Sequence, residues 1–421
     1  MSMTPPHEQR FEDFLPAGGQ QDIFTKLAAL DRHIQQSAGD YVDGLCVQML
    51  GPTDHRVTVQ ERDGERHDVI MMGSNSYLSL TTHPRVVAAC QAACAKYGYG
   101  MGAVSLYSGT TDLHRELERL VADFYHADDA ILIPCGYSAN VGVISALCGA
   151  GDVIINDAYN HASIFDGCAL SRAEVKVYLH RHMRHLEKTL AQLPDTQRGR
   201  LIITDGVFSM DGDIAPLTEI LALADRYHAR VMVDDAHGLG VVGPTGRGTA
   251  EHCGCSGQVD VTIGTFSKTP GAIGGYCVGS AALIQYLRYY ARTYFFSTSI
   301  PAPIVAGLIE VFTLLRDDAA GRDQLWRNIR YLREGLDARG FNTGHSESAI
   351  IPIIIGDEAK LVQLNNALRR HGVYTNIVTF PAVRRKECRL RLCVMNSLTR
   401  DDMDTALAVI GRLGKAHGVI A

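Results

Sequence analysis

A chain of 421 residues, 46% hydrophobic and 20% charged, is long enough for two or three domains and has the balance of an ordinary globular protein. Its 40 basic and 46 acidic residues leave a net charge of −6 with no basic face or tail, which argues against nucleic acid or an anionic membrane as partner. The 11 cysteines lack framework spacing and no apolar run reaches the length of a membrane span, so free thiols, no integral membrane segment and a cytoplasmic location are expected.

The N-terminal "MSMTPPHEQRFEDF" has no basic segment followed by an apolar one, so no secretory signal is expected, and residues 1 to about 20 read as a polar arm. "IFTKLAALDRHIQQ" has helical spacing of apolar residues, and "HRVTVQERDGERHDVIMM" reads as two strands around a turn. From about residue 85, helical windows such as "RVVAACQAACAKYG" and "LHRELERLVADFY" interleave with the short apolar strands "DAILIP", "DVIIND", "RLIITDG", "RVMVDDA" and "VDVTIGT". That alternation predicts an α/β fold with a largely parallel sheet covered by helices. The pattern changes near "FSTSIPAP", Phe296 to Pro303, beyond which "AIIPIII" and "CRLRLCVM" read as strands among long helical windows. The expected division is an arm with a small strand pair over residues 1–65, a large domain over 66–305, and a smaller α+β domain over 306–421.

Polar residues gather where these strands stop, the end of such a sheet at which ligands bind. "CGYSAN" follows one strand, and its small residues and opening helix offer backbone N–H groups to an anion. His161 follows the next; "DGVFSMDGD" brings Asp205, Ser209, Asp211 and Asp213, largely explicable as turn chemistry. "DDAHGLG" places Asp234 and His237 three apart, and a buried Asp234 should have a cationic partner. "GTFSKTPGAIGG" puts Lys268 after a buried strand, in a loop of small residues. A cradle, an imidazole, an acid and a lysine at five strand ends are the set that pyridoxal phosphate requires. Two other clusters read more plainly: "LHRHMRH", with His180, His182 and His185, as a loop and not a metal site, and "EHCGCSG", with His252, Cys253 and Cys255, as free thiols.

The chain resembles the α-oxoamine synthase family of fold-type I pyridoxal phosphate enzymes, which includes serine palmitoyltransferase, 8-amino-7-oxononanoate synthase, 2-amino-3-ketobutyrate CoA ligase and 5-aminolevulinate synthase. The matching stretches are "SNSYLSLTTHP", "YSGTTDLHRELE", "CGYSAN", "NHASIFDG", "DGVFSMDGDIAPL", "VDDAHGLGVVGPTGRG", "GTFSKTPGAIGG", "STSIP" and "RLRLCV", in family order from about residue 45 to 415. "VQMLGPTDHRVTV" leans toward the bacterial serine palmitoyltransferases. The resemblance implies the aspartate aminotransferase-like fold and a decarboxylative Claisen condensation of an amino acid (serine, glycine or alanine) with an acyl thioester, giving an α-amino ketone.

It also implies roles. Lys268 matches the Schiff-base lysine, which also removes the α-proton. Asp234 would pair with the pyridinium nitrogen, His237 with the phenolic oxygen, and His161 would stack on the ring. Gly136 and Tyr137 would offer N–H groups to the phosphate, with Thr265 and Ser267 near it and Ser209 near the ring. Thr298 and Ser299 would reach a neighbour's phosphate in a homodimer with a shared site. Arg391 would grip the amino-acid carboxylate, and Asn75 and Ser76 fall in the substrate-binding region; Arg389, on the same strand face, fits a solvent-facing arginine.

The chain also departs from the family. "AVS", Ala103 to Ser105, stands where a glycine–serine–arginine or glycine–threonine–arginine triplet is usual, so Val104, Ser105 and Leu106 favour an apolar acyl chain over a carboxylated one. Thr379 replaces an arginine, Leu398 a histidine, and Ser79 a glycine. These changes leave two donors open, acyl-coenzyme A or an acyl carrier protein, and a specialised synthase as plausible as a lipid enzyme. A catalytically silent partner subunit, which would lack the lysine, is disfavoured by Lys268.

Overall fold

The computed structural model describes residues 22, 24–36, 45, 47–194 and 199–421; the arm expected over residues 1–20 lies outside them. Helix α1 (Thr25–Gln36) is followed by β1 (Gln48–Met49) and a hairpin of β2 (Arg56–Gln60) and β3 (Arg66–Met71). Helices α2 (Pro84–Tyr97) and α3 (Asp112–Tyr125) lead into an alternating run. That run is β4 (Asp129–Ile133), α4 (Gly136–Leu147), β5 (Val153–Asp157), α5 (Ala162–Ser171), β6 (Glu174–Tyr178), α6 (Met183–Ala191), β7 (Arg200–Asp205), α7 (Leu217–Arg226) and β8 (Arg230–Asp234). A single turn, α8 (Thr249–His252), precedes β9 (Val261–Thr265) and β10 (Gly275–Gly279). Then come α9 (Ala281–Tyr290), α10 (Arg292–Phe295), α11 (Ala302–Asp317) and α12 (Ala319–Asp337). The order closes with β11 (Ile350–Ile354), α13 (Glu358–Arg370), β12 (Val373–Tyr374), β13 (Asn376–Val378), β14 (Arg389–Cys393) and α14 (Arg400–Ala416).

The central sheet has the order β4-β10-β9-β8-β7-β5-β6. β5 to β9 run parallel through β6-β5-β7-β8-β9, and β10 is antiparallel to both β4 and β9. This is the mainly parallel sheet expected, with one reversed strand added. The strands are apolar on both faces because helices cover both. Alternation divides them cleanly: Ile154, Ile203, Met232 and Ile263 enter one core, while Val153, Ile155, Ile202 and Val233 enter the other. The strands the alternation pattern did not reveal are short or exposed. β10, "GYCVG", is bracketed by glycines, and edge strand β6 exposes all but Tyr178.

A third, larger core joins β2, β3 and helices α11 to α14 to the antiparallel sheet β11-β14-β13. β3 also takes a parallel partner, β12, so the hairpin at Arg56–Met71 straddles residue 65 and is tied to the last third of the chain. The boundaries at 65 and 305 stay a proposal. Among the described residues no helix is long and apolar enough to cross a membrane.

Ser79, where the family has glycine, has a left-handed backbone with φ of 53°. Its hydroxyl donates to Ser397 at 2.7 Å, an anchor that helps hold a conformation side chains disfavour.

One buried ion pair fastens the hairpin to α13. Glu61 accepts from Arg369 Nε at 2.7 Å, each side chain 2% exposed. Removing one member of such a pair strands the other's charge. Arg369→Leu, leaving Glu61 with His67 at 3.4 Å, is expected to cost about 3–5 kcal/mol, read as a lower denaturant midpoint. The double variant with Glu61→Gln should recover part of that loss; an unchanged midpoint in the single variant would show that the pair carries no weight.

Candidate active site

The carboxyl ends of β4, β5, β7, β8 and β9 open on one cavity of about 250 Å³. Nine of the residues expected there line it: Gly136, Tyr137, His161, Ser209, Asp234, His237, Thr265, Ser267 and Lys268. Asn75, Ser76, Thr298, Ser299 and Arg391 do not. A larger cavity, about 660 Å³, lies at the amino ends of the strands, where Arg230 and Arg247 already pair with Asp260 and Glu251.

The cradle is made by close backbone approach. Helix α4 begins at Gly136 with Cys135 as its cap, so its first N–H groups face outward from the axis end. A Cβ on Gly136 would lie 2.7 Å from that of Thr265, and one on Gly275 would lie 2.8 Å from the Gly136 nitrogen. Glycine at both positions lets three strand ends converge. Thr265 and Ser267 hydroxyls meet at 2.8 Å on the same rim. Tyr137 is half-exposed and its hydroxyl donates to Asp166.

Asp234 is 7% exposed, and burial raises its carboxyl above the usual range, offset in part by the Asn140 amide. The cationic partner expected for it is not supplied: among the described residues no ion pair includes Asp234. Instead Asn140 Nδ2 donates at 2.6 Å and the Ala236 N–H at 3.1 Å. Asp205, at the register partner position on β7, is pushed well up by burial and by the neighbouring Asp234 charge. His161 caps α5; its Nδ1 lies 2.7 Å from Ser163 Oγ, which also takes Asn140 Nδ2 at 2.9 Å. Burial lowers the proton affinity of His161.

Lys268 sits in the tight connection from β9 to β10, where Thr269 donates to Leu239 O at 2.6 Å and Gly271 N–H to Lys268 O at 2.9 Å. Burial, then the Arg391 guanidinium, holds its amine below the ordinary lysine value. His237 is buried, with Nδ1 2.7 Å from the Tyr77 hydroxyl; burial, then Lys268 and Arg391, drives it well down, so the ring is neutral.

Arg391 reaches in from β14. Its Nε donates to Ser209 O at 2.5 Å, Nη1 contacts Cys393 Sγ at 3.1 Å, and Nη2 donates to Asn75 Oδ1 at 3.1 Å. Ser76 is buried with its hydroxyl 3.4 Å from that of Thr81. Thr298 is exposed and bridges Val104; Ser299 is buried and donates to Gly109 O at 2.6 Å. Arg389 corrects the expectation of a solvent-facing arginine. It is 1% exposed and donates to Asp211 at 2.6 Å and Met210 O at 3.1 Å, because the loop after β7 folds over β14.

Tyr77, Asn140 and Ser163 are site residues that sequence reasoning passed over, and Asp205, which it put down largely to turn chemistry, lines the cavity. Asn140 lies four residues after Gly136, one helical turn along α4, a spacing that could have placed it. Nothing in the pattern around Tyr77 signals its contact with His237, 160 residues away.

The loop carrying Ser209 is held from its far side by His180. His180 Nδ1 lies 3.0 Å from Asp157 and Nε2 2.9 Å from Asp213, the ring stacked on Tyr159 at 4.3 Å. Both ring nitrogens are thus spent on carboxylates. Burial opposes its charge, but the two carboxylates outweigh it and push its pKa up to about 9.

Residues 67–410 match the family model described as aminotransferase class I and II. The chain is 44% identical to the 8-amino-7-oxononanoate synthase of Thermoanaerobacter pseudethanolicus, over 84% of this chain and 89% of that one. It is also 44% identical to the 4-hydroxy-2,2'-bipyrrole-5-methanol synthase PigH of a Serratia species, over 84% of this chain and 54% of that one. Among solved structures it superposes on serine palmitoyltransferase from S. paucimobilis, bound to a pyridoxal phosphate–myriocin adduct, with a TM-score of 0.90 and 35% identity, covering 95% of this chain and 100% of that one.

The His180 clamp has a pH signature. Its folded-state pKa of about 9 exceeds the unfolded value of about 6.5. Its pairing therefore adds stability below that lower value, and the contribution is lost as pH rises through the higher one. Wild-type protein is expected to lose about 2 kcal/mol between roughly pH 6.5 and 9.5, after allowance for partial exposure. His180→Gln should be flatter over that range in chemical unfolding; an equal slope in both proteins would refute the clamp.

Proposed function

Because the chain belongs to the class I and II aminotransferase family, and within it to the pyridoxal-phosphate-dependent α-oxoamine synthases, we propose that it joins a small amino acid to an apolar acyl thioester. In that reaction the amino acid's α-carbon bonds to the thioester carbonyl, the thiol leaves, and carbon dioxide is lost to give an α-amino ketone. One observation carries the assignment of roles. A buried carboxylate, Asp234, faces the cavity that Lys268 enters and is bonded by neutral donors. A protonated ring nitrogen is what such a carboxylate would best accept.

The residues fit the cofactor. The α4 start at Gly136 and Tyr137, with Thr265 and Ser267, would take its phosphate; a Cβ at Gly136 would press on Thr265 and one at Gly275 on the Cys135–Gly136 backbone, so the cradle needs glycine at both. Asp234 would keep the ring nitrogen protonated, His161 would lie against the ring, and His237 would bond the phenolic oxygen. When bound, pyridoxal phosphate supplies the electron sink for a carbanion at the amino acid's α-carbon. Lys268 would hold the cofactor and then take the α-proton, a task suited to an amine whose proton affinity is already lowered. Arg391, whose fork matches a carboxylate, would orient the amino acid. Ser209 lines the cavity, and its carbonyl accepts from Arg391. Thr298 and Ser299, away from this chain's cavity, suit a role at a second subunit's site in a homodimer.

The loop at Ala103 to Leu106 supports an apolar acyl group. Val104 bridges Thr298 and Leu106 packs on the core, and the loop offers no cation to an acyl carboxylate. The 8-amino-7-oxononanoate synthase relatives support a second reading, since the product they are named for carries a carboxylate at its acyl end.

Visible absorption and thiol release distinguish the readings. Serine, glycine and alanine are each added to cofactor-loaded protein, with a long-chain acyl-CoA, a carboxyl-terminated acyl-CoA, or an acyl carrier protein thioester. The expected result is a spectral shift with one amino acid and thiol release only with an apolar donor. Release only with the carboxylated donor would replace this reading with the second one, and no thiol release with any donor would reject both. Lys268→Ala should lower turnover by about 10²–10⁴-fold, and Arg391→Lys should raise the amino-acid KM by about 10- to 100-fold; near-normal KM in the latter would remove Arg391 from the carboxylate role.

A further inference from the structure

The contacts of His237 decide which of its nitrogens carries the proton. The hydroxyl of Tyr77, a fully buried residue, lies 2.7 Å from Nδ1 and 3.3 Å from Asn75 Oδ1, the oxygen that Arg391 Nη2 also reaches, and the Arg391 charge acts on the same phenol. Asn75 Oδ1 already takes Arg391 Nη2 at 3.1 Å and the Cys393 thiol at 3.4 Å. A carbonyl oxygen has two lone pairs, so those donors fill it. The Tyr77 proton is left the shorter contact, to Nδ1. A neutral imidazole that accepts at Nδ1 carries its hydrogen on Nε2.

We propose that Tyr77 is a positioning residue that holds His237 as an Nε2–H donor toward the cavity and passes to that donor whether the charge of Arg391 is offset by a bound carboxylate. The proposal rests on the cofactor reading of the site given above. The Arg391 charge, held next to Tyr77 through the shared Asn75 oxygen, polarises the phenol's O–H, which strengthens donation to Nδ1 and in turn makes the far N–H a better donor. A carboxylate gripped by Arg391 offsets that charge and weakens the whole line. Occupancy of the substrate's carboxylate seat is thereby felt at the phenolic oxygen of the cofactor.

Four groups face His237: Tyr77 from the segment after β3, Lys268 from the β9–β10 connection, Arg391 from β14, and His161 from the cap of α5. All four are retained except the one replaced, and Tyr77→Phe keeps the ring's volume.

The test titrates the visible band of the pyridoxal-phosphate-loaded full chain against pH, for wild type and Tyr77→Phe, with and without propionate, a carboxylate that lacks an amino group. The variant should raise the band's apparent pKa by about one unit, a roughly tenfold weaker hold on the ionised oxygen. Propionate should shift the wild type more than the variant. Coincident curves overturn the proposal. Nitrogen NMR of histidine-labelled, cofactor-free wild type is the second readout, with His237 assigned by its loss in His237→Gln. An Nε2–H tautomer is expected, and an Nδ1–H tautomer overturns the proposal whether or not the phenylalanine variant folds. A chain that binds no pyridoxal phosphate would overturn the cofactor reading, and with it this proposal; the tautomer signal tells that failure from a fault in the Tyr77 contact alone.

Discussion

A carboxylate buried at the end of β8, satisfied by an amide and a backbone N–H instead of a cation, sets the terms for everything around it. Asp234 can stay there only because Asn140 is held in place by Ser163, and Ser163 by the His161 cap of α5. Those three residues come from α4 and α5, which pack closely on each other on one side of the sheet. The cost of burying the charge thus links helix packing to chemistry: loosen that pair of helices and the acid loses its donors.

The same logic runs on the other side of the cavity with the sign reversed. Lys268 and Arg391 are cations brought close together, and their mutual repulsion is part of what keeps the lysine amine poised to lose its proton. Arg391 tolerates the position because the loop after β7 gives it a carbonyl from Ser209, and that loop is gripped by Arg389 through Asp211 and by His180 through Asp213. The reactive face of the site is supported by charge pairs a full layer behind it.

Much of this was readable beforehand where one residue type at one place admits few explanations. Strands β4, β5, β7, β8 and β9 announced themselves as short apolar runs, and the polar residues at their ends converged as the topology of such sheets requires. Lys268, Asp234, His161 and His237 were found that way, then given roles by the family resemblance. The contacts that hold them were not legible. Tyr77 and His237 meet across 160 residues, and Arg389 is buried only because a distant loop covers it. Period-two alternation reports which face of a strand is apolar; it carries no record of what lies over a polar side chain on that face. Strand β10 escaped for a simpler reason, since five residues with glycine at each end give no period to detect.

That reversed strand changes the mechanical character of the lysine's perch. In the parallel part of the sheet each strand end runs out into a long excursion before the chain returns, so slack there is absorbed by the helix that follows. Between Thr265 and Gly275 the chain doubles straight back into hydrogen bonds on both sides, with Phe266 and Gly274 paired at 2.9 Å inside the bend. Lys268 therefore rides on a connection clamped at both feet, and a change that shifted the register of β9 against β10 would move the lysine and the rim of Thr265 and Gly136 together.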